Sequence, residues 1–319
     1  MGCCTFEPSN KLTKKLSNNT YKAHLALLGA NIIYGVSHIV AKGIMPNKIG
    51  PSAFIFMRVL GAGILFMIIK SFIKERIERK DFLLLLVCGF LGVATNQLFF
   101  FHGLNLTSPI DASIIITAIP VMVVIFSAIL LKEKITSNKI IGIIIGAIGA
   151  ILLVWYGKSE TGTSSILGNI FVLINAFSYA LYLVLVKPLM KKYNPVTVIT
   201  WVFLFGFVFV FPIGINDVLA TDFSSFTLET YLTITFVILV TTFLAYLLNI
   251  YALSKVPPSV NGSYVYLQPV VSFIMVIIYA YLLGVEKYAE DINLMKIISC
   301  LLVIIGVYLI SKKTTKKLS

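Results

Sequence analysis

Ten apolar runs divide the chain, at about 23–41, 52–72, 82–104, 109–131, 139–157, 167–187, 195–215, 230–253, 258–283 and 293–311. Each supplies the ~20 residues a helix needs to cross a bilayer. The runs are continuous rather than alternating with period two, so they predict helices and not the ~10-residue strands of a membrane barrel. Polar positions inside them recur at helical spacing. The first run carries Asn31, Tyr34 and His38, and the sixth carries Asn175, Ser178, Tyr179 and Tyr182. The eighth carries Thr242, Tyr246 and Asn249, the third adds Asn96 and Gln97, and the ninth adds Tyr264, Tyr266 and Gln268. Thr117 in the fourth run and Trp201 in the seventh join the set. Hydrogen bonds between helices, at ~0.6 kcal/mol each, account for some of these groups. Stripes on runs from both halves of the chain predict a shared polar cavity, rich in Tyr and Asn and suited to small amphipathic organic molecules. The fifth run differs: it is nearly devoid of polar groups and holds Gly142, Gly146 and Gly149. That GxxxG arrangement predicts close helix packing, either within the chain or as a homodimer seam through Gly142 and Gly146.

Composition fixes the solvent. Of 319 residues 58% are hydrophobic and only 12% charged, against ~25% charged in soluble domains. Too few charges exist to cover a globular surface, so the bilayer is the partner the composition demands. The net charge of +13 does not form a basic patch with interleaved aromatics, which excludes nucleic acid. Instead the bases punctuate the runs. With the N-terminus inside, 20 Lys and Arg fall in the tails and the segments after the even-numbered runs; Lys42, Lys48, Lys158 and Lys287 fall outside. This bias predicts a multi-pass protein of the cytoplasmic membrane with both termini in the cytoplasm. The four cysteines form no CxxC pair, so no metal, redox or other cofactor is expected. The opening "MGCCTF" has Phe6 where a myristoylation signal has Ser or Thr. The first 22 residues lack the apolar core of a cleaved signal peptide.

Two stretches share a rhythm: "FFFHGLNLTSPIDASIIITAIP" (99–120) and "NIYALSKVPPSVNGSYVYLQP" (249–269). A shift of 149 places Leu104 on Leu253, Pro109 on Pro258, Pro120 on Pro269 and His102 on Tyr251. Upstream, a shift of 145 places Tyr34 on Tyr179 and Lys42 on Lys187; downstream, a shift of 153 places Glu133 on Glu286. The fold expected is therefore an all-α polytopic membrane protein, ten transmembrane helices in two inverted five-helix repeats. Five is odd, so the second repeat enters the membrane from the opposite side. The boundaries expected are a tail at 1–22, repeats at 23–157 and 167–311 joined by an outer linker at 158–166, and a tail at 312–319.

Pro109 and Pro258 suit first helical turns, where the missing N–H costs nothing. Pro120 and Pro269 follow after 11 residues, ~16 Å along a helix and about half the hydrocarbon core. Each removes a backbone hydrogen bond and frees the carbonyl four residues earlier, Ile116 and Val265. A free carbonyl cannot face lipid, so these prolines predict kinks that border a cavity, or packed kinks without a ligand role. Ionisable groups inside the runs cost at least ~2.5–3.5 kcal/mol at a helix centre. Arg58 is expected either to bind a substrate carboxylate or to pair with Asp111. Asp111 reads as an N3 acid behind an N-cap Ser108, or as a counter-ion or proton carrier. His38 and His102 are helix-end hydrogen-bonding groups or, for His102 above all, proton carriers.

The segment "GLNLTSPIDASIIITAIPVMVVIFSAILLKEK" (103–134), with its Thr-Ser, mid-helix proline and closing Glu, is similar to the repeat signature of the drug/metabolite transporter superfamily, specifically its EamA-type permeases. Arg58 in the second run matches a recurrent arginine of that family. The resemblance implies a secondary carrier of the inner membrane, often an exporter of amino acids or other metabolites. The partners expected are a small-molecule substrate and either a coupled proton, carried by His102 or Asp111, or none in facilitated exchange. The alternatives are an intramembrane enzyme, for which no HExxH, GxSxG or paired intramembrane carboxylates are present, and a non-transporting membrane partner protein, for which no soluble signalling domain is present. No Walker A motif exists, so ATP is not used by this chain.

Overall fold

The computed structural model describes residues 9–45, 48–107, 112, 115–156, 165–271, 274, 278 and 294–312, without the side chains of 9–19, 38–39, 41–43, 153–154, 156 and 296. Pro109, Asp111 and the His38 side chain, all candidates from the sequence, lie outside the described residues.

Among the described residues ten helices follow one another: α1 (Ser9–Ile44), α2 (Pro51–Ser71), α3 (Arg79–Leu106), α4 (Ile119–Leu130), α5 (Ser137–Tyr156), α6 (Ile166–Lys192), α7 (Pro195–Ala220), α8 (Leu228–Lys255), α9 (opening with Pro258–Ser263) and α10 (Leu294–Ser311). Local chemistry sets their starts. Pro51, Pro195 and Pro258 occupy the first turns of α2, α7 and α9, as their fixed φ favours. Asn194 caps α7 by accepting from the Val196 N–H, and Thr227 caps α8 by accepting from the Thr230 N–H.

Equivalent helices of the two halves meet and run in opposite directions. On α2 and α7, Ser52 and Phe56 lie beside Gly214, while the Thr200 hydroxyl, near the other end, donates to the Phe66 carbonyl at 3.2 Å. On α5 and α10, Gly142 faces Ile310 and Gly149 faces Leu302. Val123 of α4 packs on Gly262 of α9. The remaining pairings are exchanged: α1 packs along α8, and its counterpart α6 packs along α3. Antiparallel equivalents require a pseudo-two-fold axis perpendicular to the helices, and so in the membrane plane, which is the geometry of an inverted repeat.

The ends of the helices obey the alternation that ten crossings require. Segments after α2 and α6 meet where Asp81 accepts from Lys192 and from the Tyr193 hydroxyl, both at 2.6 Å. There Lys192 first, and Lys80 second, hold the exposed Glu78 carboxyl below its usual range. Glu133, after α4, accepts from Ser259 in the first turn of α9, on the same face. On the opposite face Lys48, after α1, donates to Thr230 at the start of α8 at 3.3 Å, and Thr107, after α3, donates to Asn169 at the start of α6.

The GxxxG seam is spent inside the chain. A Cβ on Gly306 would sit 2.6 Å from the Cα and the N of Gly146, and one on Gly142 would meet Ile310 and the Gly306 carbonyl. The α5–α10 pair buries its glycines against itself and leaves Ile140, Ile144, Ile148, Leu301, Ile304 and Ile305 to lipid. Of the two expectations for Gly142 and Gly146, close packing within the chain is the one seen here: their small-residue face lies against α10 and Tyr266.

Gly306→Val puts branched carbons against a neighbouring backbone that cannot yield. It is expected to cost about 1–3 kcal/mol and to lower the unfolding midpoint of the purified protein in detergent. Gly63→Ala, whose Cβ would meet nothing within 4 Å, is expected to leave the midpoint unchanged or raise it.

Candidate functional site

α3 and α8, third helices of their repeats, each change winding in mid-membrane. Phe90–Thr95 and Val237–Leu244 are π-helical, and the shift of 149 lays the first segment within the second. One added residue per hydrogen-bonded turn loosens the ladder and releases backbone oxygens. In α3 the Leu91 carbonyl accepts from Ser178, the Gly92 carbonyl from the Tyr246 hydroxyl at 3.4 Å, and the Asn96 carbonyl from Asn175 at 2.7 Å. In α8 the Thr242 hydroxyl turns back to the Val237 carbonyl, five residues earlier, at 2.9 Å.

The ladder is also interrupted before each midplane proline. The Ala118 N–H bonds back only three residues, to Ile115, and α4 starts afresh at Ile119 with Pro120 in its first turn. Tyr264–Tyr266 form a 3₁₀ turn ahead of Pro269. Ile115 and Tyr264 are again 149 apart. Both interruptions border the same void.

That void is central. It measures about 630 Å³ with its mouth included. Tyr34 and Ser37 of α1, Arg58 of α2, and Asn96, Gln97, Phe100 and Phe101 of α3 line it. Ile116 and Ile119, Asn175 and Tyr179 of α6, Tyr246 of α8, and Val265 and Gln268 of α9 complete the wall. Four lining pairs are related by the repeat shifts: Tyr34 with Tyr179, Gln97 with Tyr246, Ile116 with Val265, and Ile119 with Gln268. Ile116 and Val265 are the residues whose carbonyls the two prolines leave without their helical donor. The cavity thus lies on the pseudo-two-fold axis.

Its chemistry is less symmetric than its shape. Arg58 is 5% exposed. Its Nε donates to the Thr242 hydroxyl at 2.9 Å, and its guanidinium carbon lies 4.7 Å from the Phe101 ring centre and 5.4 Å from that of Phe54. Among the described residues no carboxylate lies within salt-bridge distance of it. Gln97 is 3% exposed, and both polar atoms of its amide lack a hydrogen bond of good geometry among the described residues, although the amide lies beside the Tyr246 hydroxyl.

Polar contacts adjoin the void beside Tyr179. Asn249 donates to the Tyr179 hydroxyl at 2.9 Å and accepts from Asn261 at 3.1 Å. Beyond them Lys187 donates to the Leu253 carbonyl and, at 2.7 Å, to that of Val256, capping the end of α8. Glu133 bridges Lys139 and Ser259 across the two halves.

Other sequence candidates stand outside the wall. Asn31 supports it from behind, accepting from the Gln268 amide at 3.0 Å. His102 bonds to the Ser52 hydroxyl at 3.1 Å, tying α3 to α2. Thr117 is buried at the interruption before α4. Tyr182 packs its ring over Gly92, and Tyr264 pairs with His24 at 2.8 Å. Trp201 stacks edge-on against Phe82 at 5.0 Å and beside Phe205, on the side of α7 away from the void. Ser37, Phe100 and Phe101 were not singled out by the sequence; two of them are apolar, and polar stripes give no signal for them.

Because the Gln97 amide makes no good hydrogen bond, Gln97→Leu removes a buried polar cost, ~1 kcal/mol or more. The expected outcome is an unfolding midpoint in detergent at or above that of the wild type. A clear fall would mean that the amide is structurally engaged.

Comparison with known proteins agrees with this architecture. The sequence profile of the EamA-like transporter family matches residues 21–155 and again 166–312. The uncharacterized transporter YetK of Bacillus subtilis is 28% identical over 258 residues, 79% of this chain and 78% of its own. An uncharacterized transporter of Archaeoglobus fulgidus is 29% identical over 265 residues, covering 83% and 90%. The uncharacterized inner membrane transporter YicL of Salmonella typhimurium is 26% identical, covering 61% and 67%. A protein crystal structure superposes with a TM-score of 0.71 over 90% of this chain and 95% of its own. At 16% identity that likeness concerns the fold. With both halves matched, this ten-helix membrane protein belongs to the EamA-like transporter family.

Proposed function

We propose that the protein is a secondary active or facilitative carrier that exports a small amphipathic metabolite, an amino acid or similar organic solute, across the cytoplasmic membrane by alternating access. The observation that carries this reading is the cavity on the pseudo-two-fold axis, walled by symmetry-related residues of both halves; the side-chain contacts beside Tyr179 and between Glu133 and Ser259 mark the end we take as closed. Two halves of like fold and opposite orientation can exchange conformations, and the exchange moves the closure from one end to the other. The Asn249–Tyr179 and Asn261–Asn249 contacts suit a moving seal, because a hydrogen bond between polar side chains is worth ~0.6 kcal/mol in a membrane protein. A seal of that strength opens without loss of the fold. The relatives named as transporters favour transport over the enzyme reading and over a non-transporting partner role.

The proposed orientation places the closed end, with Glu133, Lys187 and Lys255, in the cytoplasm, because the basic residues gather there. Cysteines at Ser164 and Ser224 are then both labelled by an impermeant maleimide from outside the cell. Labelling from opposite sides would remove the orientation and the run count together. His102 and Asp111 are the proposed proton carriers if transport is coupled to protons. Flux into liposomes that ignores an imposed pH gradient would remove that role.

The direct test is saturable solute flux in liposomes containing the purified protein. Paired substitution of Glu133→Cys and Ser259→Cys, whose side chains touch, is expected to stop flux on oxidation and to restore it on reduction. Unchanged flux in the oxidised double variant would show that this end does not open.

A further inference from the structure

Arg58 is a full charge in hydrocarbon, and its surroundings only partly settle it. Such a charge is costly at a helix centre. Against this stand one hydrogen bond, from Nε to Thr242, and two ring faces, those of Phe101 and Phe54. The four remaining N–H donors, two on each terminal nitrogen, have no hydrogen-bond partner among the described residues. The second half offers no counterpart. Pro51 and Pro195 open α2 and α7 alike, and this register lays Arg58 on Val202, which is fully buried. The charge therefore belongs to one side of an otherwise symmetric chamber. Gln97, on the neighbouring helix, adds an amide with no good partner to the same wall. No Asp or Glu lines the void among the described residues.

We propose that the cavity is an organic-anion site: the Arg58 guanidinium takes a monocarboxylate in its fork, Gln97 donates to the same group or its neighbour, and Phe100, Phe101, Ile116 and Val265 enclose an apolar or aromatic body. This rests on the transport reading and narrows it. A guanidinium held by Nε and stacked on a ring keeps its outer edge in one plane, the geometry that matches a carboxylate with two parallel hydrogen bonds. The wall places no negative charge opposite it. A zwitterion would bring an ammonium group that only carbonyl, amide and hydroxyl oxygens can receive, so the monoanion binds more tightly than the amino acid of the same shape. A cation meets like charge and is refused.

The experiment uses the full chain in detergent and four molecules of one shape: 3-phenylpropionate, its neutral amide, phenylalanine and phenethylammonium. The shift of the unfolding midpoint is followed against concentration. The expected order of affinity is monoanion, zwitterion, amide, cation, with the monoanion roughly tenfold or more ahead of the amide, the usual effect of a charged hydrogen bond. Arg58→Lys keeps the charge and loses the fork, and is expected to weaken 3-phenylpropionate roughly tenfold. Arg58→Gln is expected to abolish the preference for the anion. If Arg58→Gln does not fold, Arg58→Lys and Gln97→Leu give the same reading through weakened anion binding. Amide or cation binding as strong as that of the anion, or an anion preference untouched by Arg58→Lys, overturns the proposal. Flux in liposomes separates the two levels. Saturable flux of the amide that ignores Arg58→Lys leaves the carrier and removes the anion site. Anion binding without flux leaves the site and removes the carrier.

Discussion

A backbone in hydrocarbon has no water to bond with, and this single constraint organises the molecule. Most of the chain meets it with unbroken helix. The departures are concentrated: π segments in α3 and α8, a broken turn before Pro120 and a 3₁₀ turn before Pro269. All four lie around one void, where side chains or space can receive the released oxygens. Asn175, Ser178 and Tyr246 do so for α3. The irregular backbone and the cavity are thus two aspects of one arrangement. Regular helices at the α5–α10 pair, closed glycine to glycine, have no such opening.

The pseudo-symmetry explains how chemistry is distributed. Shape is shared, since Tyr34 and Tyr179, or Ile116 and Val265, face each other through the axis. Charge is not. Arg58 stands against a valine in the other half. In the proposed carrier the shared shape lets the halves exchange conformations, and the single Arg58 gives the proposed anion one oriented handle. The proposed exchange would part the polar contacts beside Tyr179.

The polar stripes placed several residues that line the void, on regular helix and beside the π segments alike, Asn96, Gln97 and Tyr246 among the latter. Tyr34, Asn175 and Tyr179 were found by ordinary helical spacing, and all line the void. The same reasoning set Tyr182, Trp201 and Tyr264 on that wall, and they pack elsewhere: against Gly92, against Phe82, and with His24. An aromatic ring with a polar tip serves a buried contact as readily as a ligand, and spacing alone does not separate the two uses. In α3 the π segment adds a residue to the turn just before Asn96, so it resets which residues downstream share a face. Phe100 and Phe101 follow Asn96 and Gln97 by one regular turn and share their face of the wall, but as apolar residues they leave no mark in a polar stripe.

The sequence by itself determined the solvent, the ten crossings, the duplication and the midplane prolines. These follow from composition, run length and spacing along one dimension, and lipid leaves little freedom in interpreting them. Only the tertiary structure decided which polar groups meet, whether the glycine seam of α5 serves this chain or a second copy, and that Arg58 has a hydroxyl and two rings beside it but no described acid. Those outcomes depend on the rotation of each helix about its axis. Side-chain volumes on facing helices set that rotation collectively, through contacts between residues as far apart in the chain as Arg58 and Thr242.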